Sequence, residues 1–291
     1  MTASLVVGYT ATPQGADAVA LAGRIAEAAG AFVEVVLVVP SDGRSVLTPP
    51  DASYDAYVRD QARDWLRDAA DILPSGVGRN AHVRTADSSA EGLVAAAREF
   101  AASHIVVGAA NGGRRGRHRL GSVASELLHS SDVPVVLAPA GSAEDAAPLS
   151  RVTAAVGTRP GADVLIDEAA ALATAAGVPL RLVSLVTVDL PAGLETAAIR
   201  AVGSSHADEV LDAARDQLPA GLAVDAVVAD GESIEDAVAR LDWLPGEVVL
   251  VGSSRLARPR LLFLGSTAAK MLHELPVPLV VVPRTRASGE G

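Results

Sequence analysis

The stretches GAANGGRRGRHRLGSVASELLHSSDVPVVLAP (Gly108–Pro139) and GSSRLARPRLLFLGSTAAKMLHELPVPLVVVP (Gly252–Pro283) align without a gap at a constant offset, 252 − 108 = 144. Agreement is densest at Leu120-Gly121-Ser122 against Leu264-Gly265-Ser266 and at Val133-Pro134 against Val277-Pro278. It extends to Arg114/Arg258, His129/His273 and Pro139/Pro283. A repeat of this period is a whole domain, because solenoid units run to roughly 20–50 residues. The chain's 291 residues accommodate two such domains.

Working outward from the repeat, Leu5–Gly8 reads as a short buried strand. Ala18, Val19, Ala22, Ile25, Ala26 and Ala29 then recur at helical spacing before a stop at Gly30. Val33–Val39 is the next strand. Ser41 to Ser53, carrying Pro49-Pro50, reads as a loop, and Tyr54 to Leu73 as a long helix that turns Tyr57, Ala62, Trp65, Leu66 and Ala69 inward. A strand around His82–Arg84, a helix over Ala90–Ala102, a strand over Ile105–Gly108, a helix over Gly121–Ser130 and a strand over Val133–Ala138 complete the unit. The second unit repeats the order from Thr153–Gly157 to Leu279–Val282. Strands alternating with helices imply an α/β fold, a parallel sheet with helices on both faces. The expected division is 1–140 and 151–285 as two domains, 141–150 as a small-residue, polar connector and 286–291 as a frayed tail.

Composition narrows the function classes. Hydrophobic residues make up 49% and charged residues 20%, enough to bury two cores. No cysteine is present, which excludes disulfides and thiolate metal sites and fits an intracellular chain. No apolar run is long enough to span a bilayer, and no signal-peptide pattern opens the chain, so the expectation is a cytoplasmic protein with no membrane partner. A net charge of −11 with 3% aromatics argues against nucleic acid as a partner. The run Arg114, Arg115, Arg117, His118 and Arg119 reads as a solvated loop, with a local attractor for anions as its alternative.

The chemistry-bearing feature is the loop that ends at Gly121-Ser122, where a helix opens. A helix N-terminus presents unpaired N–H groups and a partial positive charge, so it can hold a phosphate. Gly121 lets backbone approach a ligand and Ser122 adds a hydroxyl. The alternative is a plain helix start. Phosphate-loop, dinucleotide and nucleophile-elbow motifs are absent, and no histidine pair has zinc-helix spacing. His129 and His273 recur near helix ends, where an imidazole can bond the last carbonyls. Glu126 and Asp132 flank His129, but no spacing places them in one pocket with it.

Val107-Gly108, Asn111, then nine residues to Gly121-Ser122, with His129 and Val133-Pro134-Val135-Val136, resemble the universal stress protein family twice over nearly the whole chain. The resemblance implies two tandem Rossmann-like domains, each a five-stranded parallel sheet of order 3-2-1-4-5. It also implies pairing of the two domains through their last strands, and ATP at a Gly-x-x-Gly-(nine residues)-Gly-(Ser or Thr) loop. Carried over residue by residue, the first site comprises Thr10, Val39, Gly108, Asn111, Gly121, Ser122 and Val123. The second comprises Gly252, Arg255, Gly265, Ser266 and Thr267.

This chain departs from the pattern. Asn111 stands at the second glycine of the first loop, where its tolerance of positive φ can preserve the shape, and Arg255 stands there in the second. The carboxylate that often follows the family's first strand is replaced by Thr10 and, by alignment, Arg159, which weakens adenosine recognition. Leu185 is read as the counterpart of Val39. The functional expectation is a stress-response regulator that binds ATP, ADP or AMP, with magnesium accompanying ATP, and is non-catalytic or at most a slow ATPase. The alternative is a ligand-free pseudo-dimeric scaffold acting through protein contacts. The protein partner and any further homodimerisation stay open.

Overall fold

The computed structural model describes residues 3–41, 52–110, 118, 120–157, 162–187, 196–254 and 262–284. In the first unit β1 (Ser4–Gly8), α1 (Pro13–Ala29), β2 (Phe32–Pro40), α2 (Ala52–Ile72), β3 (Arg79–Ala86), α3 (Ser89–Glu99), β4 (His104–Gly108), α4 (Ser122–Ser130) and β5 (Val135–Ala138) follow in order. The second unit runs β6 (Arg151–Ala155), α5 (Ala162–Ala176), β7 (Leu180–Thr187), α6 (Thr196–Arg215), β8 (Val224–Gly231), α7 (Ile234–Ala239), β9 (Glu247–Gly252), α8 (Ser266–Glu274) and β10 (Leu279–Val282).

Local chemistry sets these elements. Helix α1 begins where the Thr12 side chain accepts from Gly15 N and Pro13 supplies a helical φ without a missing partner, and it ends at Gly30 with φ 64. Ala18, Val19, Ala22, Ile25 and Ala26 form its buried stripe. Helix α2 buries Ala62, Leu66 and Ala69 as expected, whereas Trp65, read as inward, is 38% exposed because it lies on the flank of that stripe.

All ten strands join one sheet of order β3-β2-β1-β4-β5-β10-β9-β6-β7-β8, so each unit has the order 3-2-1-4-5. Every pairing is parallel except the seam, where β10 runs antiparallel to β5. Val280 pairs with Val136 there, and since 280 − 136 = 144 each residue faces its own repeat counterpart, which marks a pseudo-two-fold axis. The four-residue seam strands are fully buried, so joining removes two sheet edges that would otherwise be open to further pairing. Helices α1, α2, α5 and α6 cover one face and α3, α4, α7 and α8 the other, and each face carries a core that continues across both units.

Loops lock the seam reciprocally. His118 Nε2 donates to Val277 O at 2.7 Å, and its counterpart Leu262 (262 − 118 = 144) donates its backbone N–H to Ser131 O at 2.8 Å. His118 is therefore 5% exposed, which corrects its place in a solvated basic loop, while Arg114, Arg115, Arg117 and Arg119 lie outside the described residues. His129 Nδ1 bonds Ser125 O, the expected end-of-helix contact, and its ring meets Phe263 of the second unit edge-on at 5.0 Å. The connector is strapped down: Asp17 accepts from Gly141 N at 3.1 Å and Ala143 N at 2.8 Å, and Arg24 pairs with Asp145 at 3.2 Å.

Candidate functional site

Each unit has a cavity at the carboxyl end of its sheet, where the chain leaves the first strand toward one face and the fourth toward the other. In the first unit it measures about 310 Å³, and Thr10, Gly108, Gly121, Ser122 and Val123 of the expected set line it. Asn111 lies outside the described residues. In the second unit the cavity is about 420 Å³ and is lined by Gly252, Gly265 and Thr267; Ser266 opens α8 without lining it, and Arg255 lies outside the described residues.

The helix starts at these cavities differ from three others. Helices α1, α3 and α7 are capped by the side chains of Thr12, Ser88 and Ser233. Helices α4 and α8 have extended N-caps at Gly121 and Gly265 with no side-chain cap bond. Their leading N–H groups thus face the cavity without a side-chain acceptor, an arrangement suited to an anion.

Sheet register corrects two sequence assignments. Leu5 pairs with His104 and Val152 with Val248, and 248 − 104 is the repeat offset of 144, so Leu5 and Val152 are counterparts, 152 − 5 = 147. The left-handed helix stops Gly30 and Gly177 keep the same spacing. At this offset Thr10 corresponds to Gly157 rather than to Arg159, which lies outside the described residues. Leu185 corresponds to Val38, and both line their cavities. Val39 packs against the core on the opposite face, because successive strand residues alternate sides. Sequence reading misses Val38 for that reason: in the apolar run Val35-Val36-Leu37-Val38-Val39 only the register tells one face from the other.

The two cavities differ at their glycines. A Cβ on Gly108 would lie 2.1 Å from Gln14 O, and one on Gly8 would lie 2.7 Å from Leu93 Cδ1. The first turn of α1 and the Leu93 side chain thus fill the space above β1 and β4. At Gly252 and Gly157 an added Cβ meets nothing within 4 Å among the described residues. Residues 158–161, which include Gly161, the counterpart of Gln14 at the 147 offset, lie outside the described residues.

Neither lining includes a carboxylate among the described residues. Glu126 accepts from Ser88 Oγ at 2.7 Å and Asp132 accepts from Arg98 at 3.0 Å, so both tie α3 to the α4 region outside the cavity. Thr10 Oγ1 bonds Thr12 Oγ1 at 2.9 Å, within the α1 cap. Tyr9 has its pKa raised, first by burial and then by the Asp68 carboxylate. No helix among the described residues is long and apolar enough to cross a membrane.

A tandem α/β sheet with paired last strands and an uncapped Gly-Ser helix start at each carboxyl edge defines a tandem-repeat α/β protein. The sequence profile of the universal stress protein family matches residues 1–139 and 148–283, and the chain belongs to that family. It is 30% identical over 292 aligned positions to the universal stress protein Rv2319c of Mycobacterium tuberculosis (strain ATCC 25618 / H37Rv), covering 96% of this chain and 99% of the relative. The same figures hold for universal stress protein Mb2346c of Mycobacterium bovis. Among solved structures, a universal stress protein from Archaeoglobus fulgidus DSM 4304 superposes with a TM-score of 0.66 at 19% identity, over 97% of this chain and 98% of that one, which shows a shared fold.

Proposed function

We propose that the chain is a non-catalytic, nucleotide-binding regulator of the stress response that holds an adenine nucleotide mainly in its second unit. The observation that carries this reading is the cavity lined by Gly157, Gly252, Gly265 and Thr267 in front of the uncapped start of α8. Phosphates would take the N–H groups of the first turn and the Thr267 hydroxyl, with the base beside Leu185. A cavity of about 420 Å³ is in the range of small-molecule sites. Among the described residues no carboxylate lines the cavity, which supports binding without hydrolysis. In the first unit, the close approach of Gln14 to Gly108 supports the weaker, scaffold-like role.

Magnesium ATP, ADP and AMP titrated into the purified chain by calorimetry test the proposal. The expected result is one dominant site per chain, lost in Gly252→Leu and kept in Ser122→Leu. Nucleotide released on denaturing the protein as isolated from cells, identified by mass spectrometry, gives the same stoichiometry. Absence of both would leave the ligand-free scaffold.

A further inference from the structure

The ten-stranded sheet ends in two unlike edges, β3 and β8. On the β2 side of β3, Val33 N donates to Gly78 O at 2.9 Å and Ser41 N to Ala86 O at 2.8 Å, so the even-numbered residues of β3 carry the ladder. The backbone N–H and C=O groups of Arg79, Ala81, Val83 and Thr85 therefore point away from the sheet. They have no hydrogen-bond partner among the described residues, and Arg79, Ala81 and Thr85 are exposed.

At the other end Leu180 N donates to Ala223 O at 2.9 Å, which turns the backbone of Val224, Ala226, Val228 and Asp230 outward. Side chains occupy part of that edge: Arg215 donates to Val224 O at 3.1 Å, and Asp225 Oδ1 accepts from Ala226 N at 2.9 Å. Exposed Asp225 and Asp230 add like charge, a device that keeps edge strands from pairing. The charges of β3 are instead folded back onto their own chain. Arg79 donates to Pro74 O at 3.1 Å, Arg84 pairs with Glu99 at 2.7 Å, and His82 pairs with Glu34 at 2.6 Å.

An open edge at one end and a guarded edge at the other favour a closed pair over a fibre, because the open edge joins only its own copy. In an antiparallel β3–β3 pair with its two-fold axis at residue 82, every outward group finds a partner: Arg79 faces Thr85 of the second copy, and Ala81 faces Val83 of the second copy. Between them Asn80 lies opposite Arg84, so no two arginines oppose each other. The two His82 rings meet at the axis, each held by Glu34 and stacked on Phe100 of its own chain at 4.5 Å. The seam already joins strands in this way, β5 running antiparallel to β10 across the pseudo-two-fold axis.

We propose that the chain forms a symmetric homodimer in which the β3 edges of two copies pair antiparallel and join two ten-stranded sheets into one. No β3 residue lines either glycine-bordered cavity, so this inference does not depend on nucleotide binding.

Sedimentation velocity and native mass spectrometry of the full chain test it. The expected result is a reversible dimer at about 100 µM chain. Ala81→Pro removes an outward N–H and leaves the bonds to β2 intact, as proline on an edge strand can. It should weaken the dimer about 10- to 100-fold, two hydrogen bonds by symmetry, while circular dichroism and the thermal midpoint stay those of the wild type. Ala226→Pro, the same change on β8, should leave the dimer unaltered. The natural chain has no cysteine, so His82→Cys places a single thiol at the axis, where the roughly 4.5 Å Cα separation of a non-hydrogen-bonded pair suits a disulfide, and oxidation should link the two copies. A wild-type chain that stays monomeric at about 100 µM would overturn the proposal and leave the β3 edge to an extended segment of another protein. A dimer indifferent to Ala81→Pro, one lost in Ala226→Pro, or a dimeric His82→Cys chain that does not cross-link would overturn it as well.

Discussion

Gly108 and Gly252 are repeat counterparts at the ends of β4 and β9, yet alanine at each should have opposite effects. At Gly108 the new methyl would sit 2.1 Å from Gln14 O and 2.8 Å from Gln14 C, both backbone atoms of the first turn of α1. Contact of carbon with oxygen requires more than 3 Å, so the helix start must move about 1 Å or more, disturbing its Thr12 cap and the tight approach of Gly15 to Thr10. Overpacking costs about 1–3 kcal/mol, and a rigid backbone obstacle puts this case near 3 kcal/mol. At Gly252 nothing among the described residues lies within 4 Å and φ is not positive, so alanine should cost no contact with them and stiffen the unfolded chain, a gain of about 0.4–1 kcal/mol. The expected gap between the two variants is about 3–4 kcal/mol. Urea unfolding followed by circular dichroism measures it, with thermal midpoints separated by roughly 6–16 °C. Equal destabilisation of both variants would refute the reading that Gly252 has room for a methyl group where Gly108 has none.

Three further outcomes follow from buried groups. Burial lowers the His118 pKa to about 4, against a smaller raising effect of its bond to Val277 O, because the Nδ1 atom is enclosed without a partner. The unfolded chain takes up that proton near 6.5, so stability is full above that pH and is lost as pH falls toward 4. The loss is about 2 kcal/mol between pH 7.5 and 5, and His118→Leu should remove that part of the acid sensitivity in urea titrations. Glu247, 1% exposed, accepts from Arg181 at 2.7 Å, Arg151 at 2.6 Å and Leu244 N at 3.0 Å, and also from Thr153. Glu247→Ala should cost about 3–5 kcal/mol by stranding two guanidiniums, so a thermal midpoint within 2 °C of wild type would contradict it. Asp17→Ala leaves the N–H groups of Gly141 and Ala143 without their acceptor, and limited proteolysis should then cut the connector faster, at a stability cost of about 1–3 kcal/mol.

The repeat, the α/β alternation and the Gly-Ser helix starts were legible in the chain because each depends on neighbours in sequence. Hydrophobic period, caps such as Thr12 and Gly30, and a gapless offset of 144 carry that information locally. The family resemblance added the strand order and the pairing of last strands, and the seam of β5 with β10 bears both out. Trp65 was misplaced because a wide apolar stripe leaves its own edges ambiguous, and Val39 was misplaced because Val35, Val36, Val38 and Val39 look alike until the pleat assigns their sides.

What the sequence by itself determined is the duplicated fold and the approximate location of both candidate sites, since these follow from the order of strands, helices and glycine turns. What only the tertiary structure decided is what packs against the first unit's glycines. Gly108 and Gly252 are the same residue at the same repeat position, and what packs against Gly108 is the backbone of Gln14, brought there by the docking of α1; the counterpart of Gln14 at the 147 offset, Gly161, lies outside the described residues. Empty volume is a property of how distant segments pack, so no single stretch of the chain records it.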